Sequence, residues 1–172
     1  MAVLPIRQYP DPVLRSRCDE VVSFDEDLAR LAWDMIETMH AAPGIGLAAP
    51  QVGKSLRLAV VDLSVGEQAD QLLVLVNPEI YEPMGSWIDE EGCLSIPGLA
   101  DKVERPQRVR LRAQGLDARP FEIAAEGLLA RAVCHEVDHL DGILFVDRLK
   151  GLRRDRARRA LRRLAREAEV TA

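Results

Sequence analysis

The stretch His135–His139 reads H-E-V-D-H, and the residues around it are suited to a helix. From Gly127 to Leu140 there is no proline, leucine and alanine are frequent, and Gly142 is placed to end the helix as a C-terminal cap. Residues four apart lie on one face of a helix, about one turn from each other. Both imidazoles can therefore reach one metal ion, and Glu136, beside that ion, can take a proton from a water bound to it.

The chain's third histidine, His40, lies outside this motif. The chain has only three histidines, so chance is a poor explanation for two of them at this spacing. His40 lies near the C-terminus of another predicted helix, where the helix dipole favours it, and we interpret it as structural.

A chain of 172 residues suffices for one compact domain and is short for two, so we expect one domain over residues 1–172.

Composition excludes several classes of protein. A hydrophobic fraction of 48% and a charged fraction of 30% are typical of a soluble globular protein. No apolar run approaches the 18 residues of a membrane span, and the N-terminus resembles neither a signal nor a transit peptide. Three cysteines make a poor disulfide framework, which favours a cytoplasmic location. With seven aromatic residues, a base-stacking surface is improbable, and we expect no DNA or membrane partner.

Charge is distributed unevenly along the chain. From Lys150 to the C-terminus there are nine basic and three acidic residues, a net charge of +6, whereas the whole chain carries −5. An acidic body therefore precedes a basic C-terminal segment, which we predict to be a helix over about 153–168.

Working outward from the motif, the other elements are short. Ser23 and Glu26 form an S-x-x-E capping box that predicts a helix, and Pro43 ends its apolar stripe. Strands are predicted at Leu56–Leu63, Leu72–Val76, Trp87–Ile96 and Phe121–Ala124, with Asn77-Pro78 ending the second. The expected fold is α+β, with short, mostly antiparallel sheets around the H-E-x-x-H helix and a C-terminal helix.

Two histidines leave the third metal ligand to be found, since catalytic sites of this type usually have three protein ligands. Phe145 stands where the H-x-x-G-x-x-H extension of one metalloprotease class requires histidine. Glu167 and Glu169 lie in the basic helix, a poor setting for a ligand.

The cysteines are the remaining candidates. Cys134 projects about 100° from His135 on a helix and cannot easily join the same ion. Spacing does not exclude Cys18. Cys93 follows Gly92, which would let the backbone approach closely, yet a free cysteine is more often a small buried hydrophobe. Spacing alone leaves Cys18 and Cys93 open.

Three stretches together resemble the signature motifs of peptide deformylases, in order and approximate spacing. They are Gly44–Gln51 (G-I-G-L-A-A-P-Q), Glu91–Ser95 (E-G-C-L-S) and His135–His139. The resemblance implies that Cys93, His135 and His139 bind one divalent metal ion, with water as the fourth ligand. Family members typically use Fe²⁺ and accept Zn²⁺, Ni²⁺ or Co²⁺, and mixed sulfur and nitrogen ligands suit these ions.

The resemblance also implies a reaction, the removal of the formyl group from the formyl-methionine of nascent polypeptides. Glu136 would be the general base, and the Gln51 side-chain amide and the Leu94 backbone N–H would stabilise the oxyanion. Gly44 and Gly46 would let an extended peptide pair with the backbone.

The methionine side chain requires an apolar pocket. Ile45, Leu128 and Ala132 are candidates to line it, with an ordinary core role as the alternative. Two departures stand out. Arg131 occupies a position where an apolar residue would suit a pocket, so it would reach the rim or point elsewhere. Many relatives carry arginine or tyrosine near Ala100, so contacts beyond the first peptide residue stay open.

Two alternative functions remain at this level. One is a general H-E-x-x-H metallopeptidase, whose third ligand would not be Cys93. The other is an inactive relative that binds the ribosome, against which Glu136 and Gln51 argue. The basic helix is either a solvated helix that completes an acidic domain or, as the cotranslational role of the family suggests, a contact with ribosomal RNA, which would be steeply salt-dependent.

Overall fold

Three α-helices and seven β-strands make up the chain in a computed structural model that describes residues 1–172. The helices are α1 (Glu26–Ala41), α2 (Gly127–Leu140) and α3 (Gly151–Thr171). The strands are β1 (Gly46–Ala48), β2 (Leu58–Val61), β3 (Leu73–Met84), β4 (Trp87–Cys93), β5 (Ile96–Arg105), β6 (Arg108–Gln114) and β7 (Pro120–Glu126).

The strands form two antiparallel sheets. Five of them pair in the order β1-β2-β3-β6-β7, which leaves β1 at an edge, and β4 and β5 form a separate hairpin. Helix α2 lies between the two sheets. Its Ala130, Val133 and Leu140 pack in one hydrophobic cluster with residues of the five-stranded sheet, while Arg131 reaches the hairpin. The predicted α+β class, with antiparallel sheets around the H-E-x-x-H helix, is confirmed.

Three local predictions were wrong. Helix α1 is capped by Asp25, whose carboxylate accepts the Leu28 N–H at 2.9 Å, and not by Ser23. Strand β3 does not end at Asn77-Pro78 but continues to Met84. A register shift after Val76 absorbs the proline, which has no N–H to donate to the sheet. The side chain of Asn77 instead bonds the backbone of Val21.

The third error concerns the segment Trp87–Ile96. It is not one strand, because β4 ends at Cys93 and β5 begins at Ile96. Cys93 therefore stands at the end of β4, where the hairpin turns, and not inside a continuous strand.

Helix α3 begins at Gly151 and ends at Thr171, slightly longer at both ends than the predicted 153–168. Only Ala157 and Leu161 are buried, against a cluster that includes Leu14, Phe145 and Leu149. A fully buried leucine contributes about 1.5–3 kcal/mol, so this contact is sufficient to dock the helix but small beside the rest of the core. No helix is long and apolar enough to cross a membrane.

Candidate metal centre and active site

Three metal-ligand side chains converge between α2 and the hairpin. The donor atoms of Cys93, His135 and His139 all lie within 4.8 Å of one another. The two Nε2 atoms are 3.2 Å apart, and Cys93 Sγ lies 3.3 Å from His139 Nε2. Spacing within α2 brings the histidines together, and the end of β4 supplies the thiol.

These distances fit a tetrahedral ion. Metal–nitrogen bonds of about 2.0–2.1 Å and a metal–sulfur bond of about 2.3 Å place the ligand atoms about 3.3–3.6 Å apart. Two of the three donor pairs are near this separation, and one thiolate with two imidazoles is a set that Fe²⁺, Zn²⁺, Co²⁺ and Ni²⁺ all accept. The residues therefore fit a divalent transition metal. Cys18 and Cys134 do not belong to the cluster.

Glu91 orients one histidine from behind. Its Oε1 lies 2.6 Å from His135 Nδ1, which makes Nδ1 the protonated nitrogen and directs the lone pair of Nε2 toward the other donors. Burial favours the neutral form of Glu91, but hydrogen bonds with His135 and Arg105 prevail and hold its pKa well below the usual range. Burial lowers the pKa of His139, so this imidazole is neutral and able to bind a metal.

A buried ionic network surrounds Glu91. Arg105 donates to both Glu91 oxygens, at 2.7 and 3.0 Å, and to Asp138 at 2.6 Å. Arg148 donates to Asp138 at 2.7 and 3.1 Å, and Arg131 donates to Glu91 at 2.8 Å. Each carboxylate thus faces two arginines, the arrangement that a buried charge requires.

Glu136 is buried on the side of α2 that faces β1. Burial raises its pKa to about 7, and its Oε2 has no hydrogen-bond partner. A Cβ atom on Gly46 would lie 2.4 Å from Glu136 Oε1, so a larger residue there would displace the carboxyl group. The carboxyl group is therefore held close to the backbone of β1 while one oxygen stays available.

Gln51 sits in the short 3-10 helix Ala49–Val52 and is almost fully buried. Its Oε1 accepts the Ala48 N–H at 2.9 Å, which fixes the amide orientation. Its Nε2 donates to Ser95 Oγ at 3.2 Å and faces Cys93 Sγ at 3.6 Å. The amide N–H groups are thus aimed at the metal-ligand cluster.

A cavity of about 540 Å³ opens beside these residues. All the residues predicted to contact substrate line it, namely Gly44, Ile45, Gly46, Leu128 and Ala132, together with Gln51, Leu94, Cys93, His135 and Glu136. Leu128 is 47% exposed and lies at the rim, whereas Ala132 is buried. The structure therefore brings the three motifs to one cavity.

Several residues at the site were missed by the sequence reasoning. Glu91, Arg105 and Asp138 had no predicted role, and Arg131, which was expected to reach the rim or point elsewhere, is only 3% exposed. A sequence signal did exist, since Glu91 and Asp138 lie within the second and third motifs. Nothing in the spacing, however, indicated that arginines 14 and 40 residues from Glu91 would contact it.

Comparison with known proteins bears directly on this site. The profile of the polypeptide deformylase family matches residues 3–155, which contain every residue of the cavity. The chain belongs to the polypeptide deformylase family. Family members are metal-dependent hydrolases that remove the N-formyl group of nascent peptides, and this chain is such an enzyme.

Individual relatives agree over almost the whole chain. A peptide deformylase of Acidobacterium capsulatum is 50% identical over 169 residues, covering 98% of this chain and 99% of that protein. One from Alkalilimnicola ehrlichii is 54% identical, covering 99% and 95%. The crystal structure of a peptide deformylase from Legionella pneumophila superimposes with a TM-score of 0.88 at 46% identity, covering 98% of each chain.

Proposed function

We propose that this deformylase acts on formyl-methionyl peptides, with Cys93, His135 and His139 holding the metal and Glu136 moving the proton. The observation that carries the proposal is the convergence of one Sγ and two Nε2 atoms beside a buried carboxyl group at an apolar cavity. The metal in the cell is Fe²⁺, and Zn²⁺, Ni²⁺ or Co²⁺ can replace it. When bound, the ion polarises the formyl carbonyl and makes water a better nucleophile.

Glu136 is the general base and then the general acid. It accepts a proton from the attacking water as the new C–O bond forms at the formyl carbon, and delivers that proton to the departing nitrogen as the C–N bond breaks. The products are formate and a free α-amino group. A pKa of about 7 suits both steps, because the carboxyl group can take up and release a proton at neutral pH.

The Gln51 amide and the Leu94 N–H donate to the oxygen that gains charge in the transition state. The bond from Ala48 holds the Gln51 amide in place before substrate arrives, so little reorganisation is needed during the reaction. Loss of one such donor typically raises the barrier by about 2.7–4 kcal/mol.

The peptide backbone lies along β1. This strand pairs only with β2, so its other edge is free of sheet partners, and Gly44 and Gly46 allow close approach. The methionine side chain enters the cavity between Ile45, Leu128 and Ala132.

Formate release from a formyl-Met peptide tests this proposal, using protein loaded with Fe²⁺ anaerobically or with Ni²⁺. We expect turnover on the formyl peptide and none on the acetyl-Met analogue, because the site encloses a small acyl group. Cleavage of internal bonds in an unformylated peptide would instead indicate a general metallopeptidase. Absence of turnover with metal bound would indicate an inactive relative.

Glu136→Ala tests the assignment of the base. Loss of general acid–base catalysis should lower kcat by about 10²–10⁴-fold, with metal content and circular dichroism unchanged. Glu169→Ala, an exposed position on α3, serves as the control. Turnover that survives the Glu136 change would contradict the assignment.

We further propose that α3 contacts ribosomal RNA, which places the reaction in the cytoplasm where nascent chains emerge. Four of its arginines have no carboxylate within 4 Å: Arg158, Arg159, Arg162 and Arg166. Arg154, Arg158 and Arg162 also line a cavity of about 500 Å³, to which Arg15 contributes from the N-terminal arm. Of the arginines at this cavity, Arg158 and Arg162 have no carboxylate partner, and such guanidinium groups are suited to phosphate oxygens.

Cosedimentation with ribosomes at increasing salt tests this contact. The full chain should pellet at low salt and be released as salt rises, and a chain truncated after Gly151 should not pellet. Equal binding by the truncated chain would rule out α3 as the contact.

A further inference from the structure

We propose that Arg131 is a positioning residue that sets the register of the β4–β5 hairpin against α2 and thereby places Cys93 opposite the two histidines. The inference rests on the ligand set proposed above. It concerns how two separate elements are held together, because the hairpin supplies the thiol and the helix supplies both imidazoles.

All the hydrogen bonds of the Arg131 side chain go to the hairpin. Its Nη1 donates to Glu91 Oε2 at 2.8 Å, to the Val103 carbonyl at 3.0 Å and to the Asp89 carbonyl at 3.4 Å. Its Nη2 donates to the Trp87 carbonyl at 3.2 Å, and the guanidinium lies 4.5 Å from the centre of the Trp87 ring. One buried side chain of α2 thus reaches both strands of the hairpin.

The contacts form two matched rows. Arg131, His135 and His139 are four residues apart on one face of α2, so they repeat about every 6 Å. Alternate residues of β4 repeat about every 6.6 Å. His139 meets Cys93, His135 meets Glu91, and Arg131 meets the backbone of residues 87 and 89.

Because the two repeats are nearly equal, a hairpin displaced by one step can also dock on α2. A shift by one step would place another pair of residues together and move Cys93 away from His139. The other side-chain contacts between α2 and the hairpin are His135–Glu91, His139–Cys93 and Arg105–Asp138, and they fall within about one turn of α2, about which the hairpin can tilt. Arg131 adds contacts one step further along, and two separated points fix both position and angle.

The role of Arg131 differs from that of Arg105. Arg105 lies on β5 and compensates both Glu91 and Asp138, so it maintains the charge balance of the network. With Arg131 removed, Glu91 still has Arg105 and His135 as partners. The expected defect is therefore in ligand geometry.

The test uses cobalt-loaded enzyme carrying Arg131→Met, with Arg148→Met as the matched control. Arg148 also belongs to the network and contacts α2 through Asp138, but it has no bond to the hairpin. We expect Arg131→Met to lose Co²⁺ to a chelator about tenfold more readily, as is typical when groups that orient metal ligands are removed. Its thiolate-to-cobalt absorption band should weaken, and Arg148→Met should keep the band and the affinity of the unaltered enzyme.

Arg131→Lys extends the test, since lysine keeps the positive charge but lacks the planar fork that spans several acceptors. We expect partial recovery of metal affinity and of the absorption band, and this variant carries the test if Arg131→Met does not fold. A lowered melting temperature with unchanged cobalt affinity and spectrum, in Arg131→Met or in Arg131→Lys standing in for it, would overturn the proposal and leave Arg131 a fold-stabilising residue.

Discussion

Two groups of arginines in this enzyme have opposite surroundings. At the interface of α2 and the hairpin, Arg105 and Arg131 are buried, and each contacts Glu91. On α3, most arginines are exposed, and four of them have no acidic partner. The same side chain therefore supports geometry at one place and a positive field at the other.

The two groups of arginines differ in their exposure to solvent. Water and salt screen the exposed charges, so each contributes little to folding but remains available to a polyanion. A buried charge cannot be left unpaired without a large penalty, so the buried arginines and their carboxylates depend on one another. Changes at the buried site should thus alter stability and catalysis, while changes on α3 should alter binding and its salt dependence.

The largest expected effect comes from Arg105→Met. It leaves Glu91 and Asp138 each with one fewer buried partner, and we expect the free energy of unfolding to fall by about 3 kcal/mol, measured by urea denaturation. The control is Arg30→Met on the exposed surface of α1, which should leave the denaturation midpoint unchanged. Similar denaturation midpoints for the two variants would show that buried and exposed arginines do not differ in their contribution to stability.

Gly46→Ala is the next largest. The added Cβ would lie 2.4 Å from Glu136 Oε1, so the carboxyl group must move, and a displacement of about 1 Å can lower kcat by about 10²-fold. At Gly92, beside Cys93, an added Cβ would find its nearest neighbour at 3.7 Å, so Gly92→Ala is the matched control. Kinetics of formate release compare the two. Equal losses would show that the close approach of β1 to Glu136 is not what constrains Gly46.

The sequence predicts those parts of the site that depend on contacts between residues close together in the chain. The spacing of His135 and His139 is local, so the helix period alone predicts that they share a face. Cys93 is 42 residues before His135, and spacing could not choose between it and Cys18 because the hairpin must first dock on α2. The choice came from resemblance to a family.

The ionic network around Glu91 is even harder to predict from the sequence. Glu91 pairs with Asp101 in the hairpin register, yet its charge partners are Arg105 on the same hairpin and Arg131 on α2. Long side chains crossing between elements leave no periodic signal. For the same reason the sequence left open whether Arg131 reaches the rim of the cavity or points elsewhere, and in the structure its long side chain reaches inward to four acceptors.

The smallest effect on stability, and the sharpest contrast, comes from replacing Arg158 and Arg162 together by glutamine. Both are exposed and without a carboxylate partner, so we expect the free energy of unfolding to change by about 0.5 kcal/mol or less. Ribosome binding should weaken and lose salt dependence, the slope of log K against log salt falling by about 0.7–0.9 for each phosphate contact removed. Replacing Arg110 and Arg112 on β6 removes the same charge from another face and should leave that slope unchanged. Equal loss of binding in both double variants would mean that net charge, and not the arginine row of α3, attracts the ribosome.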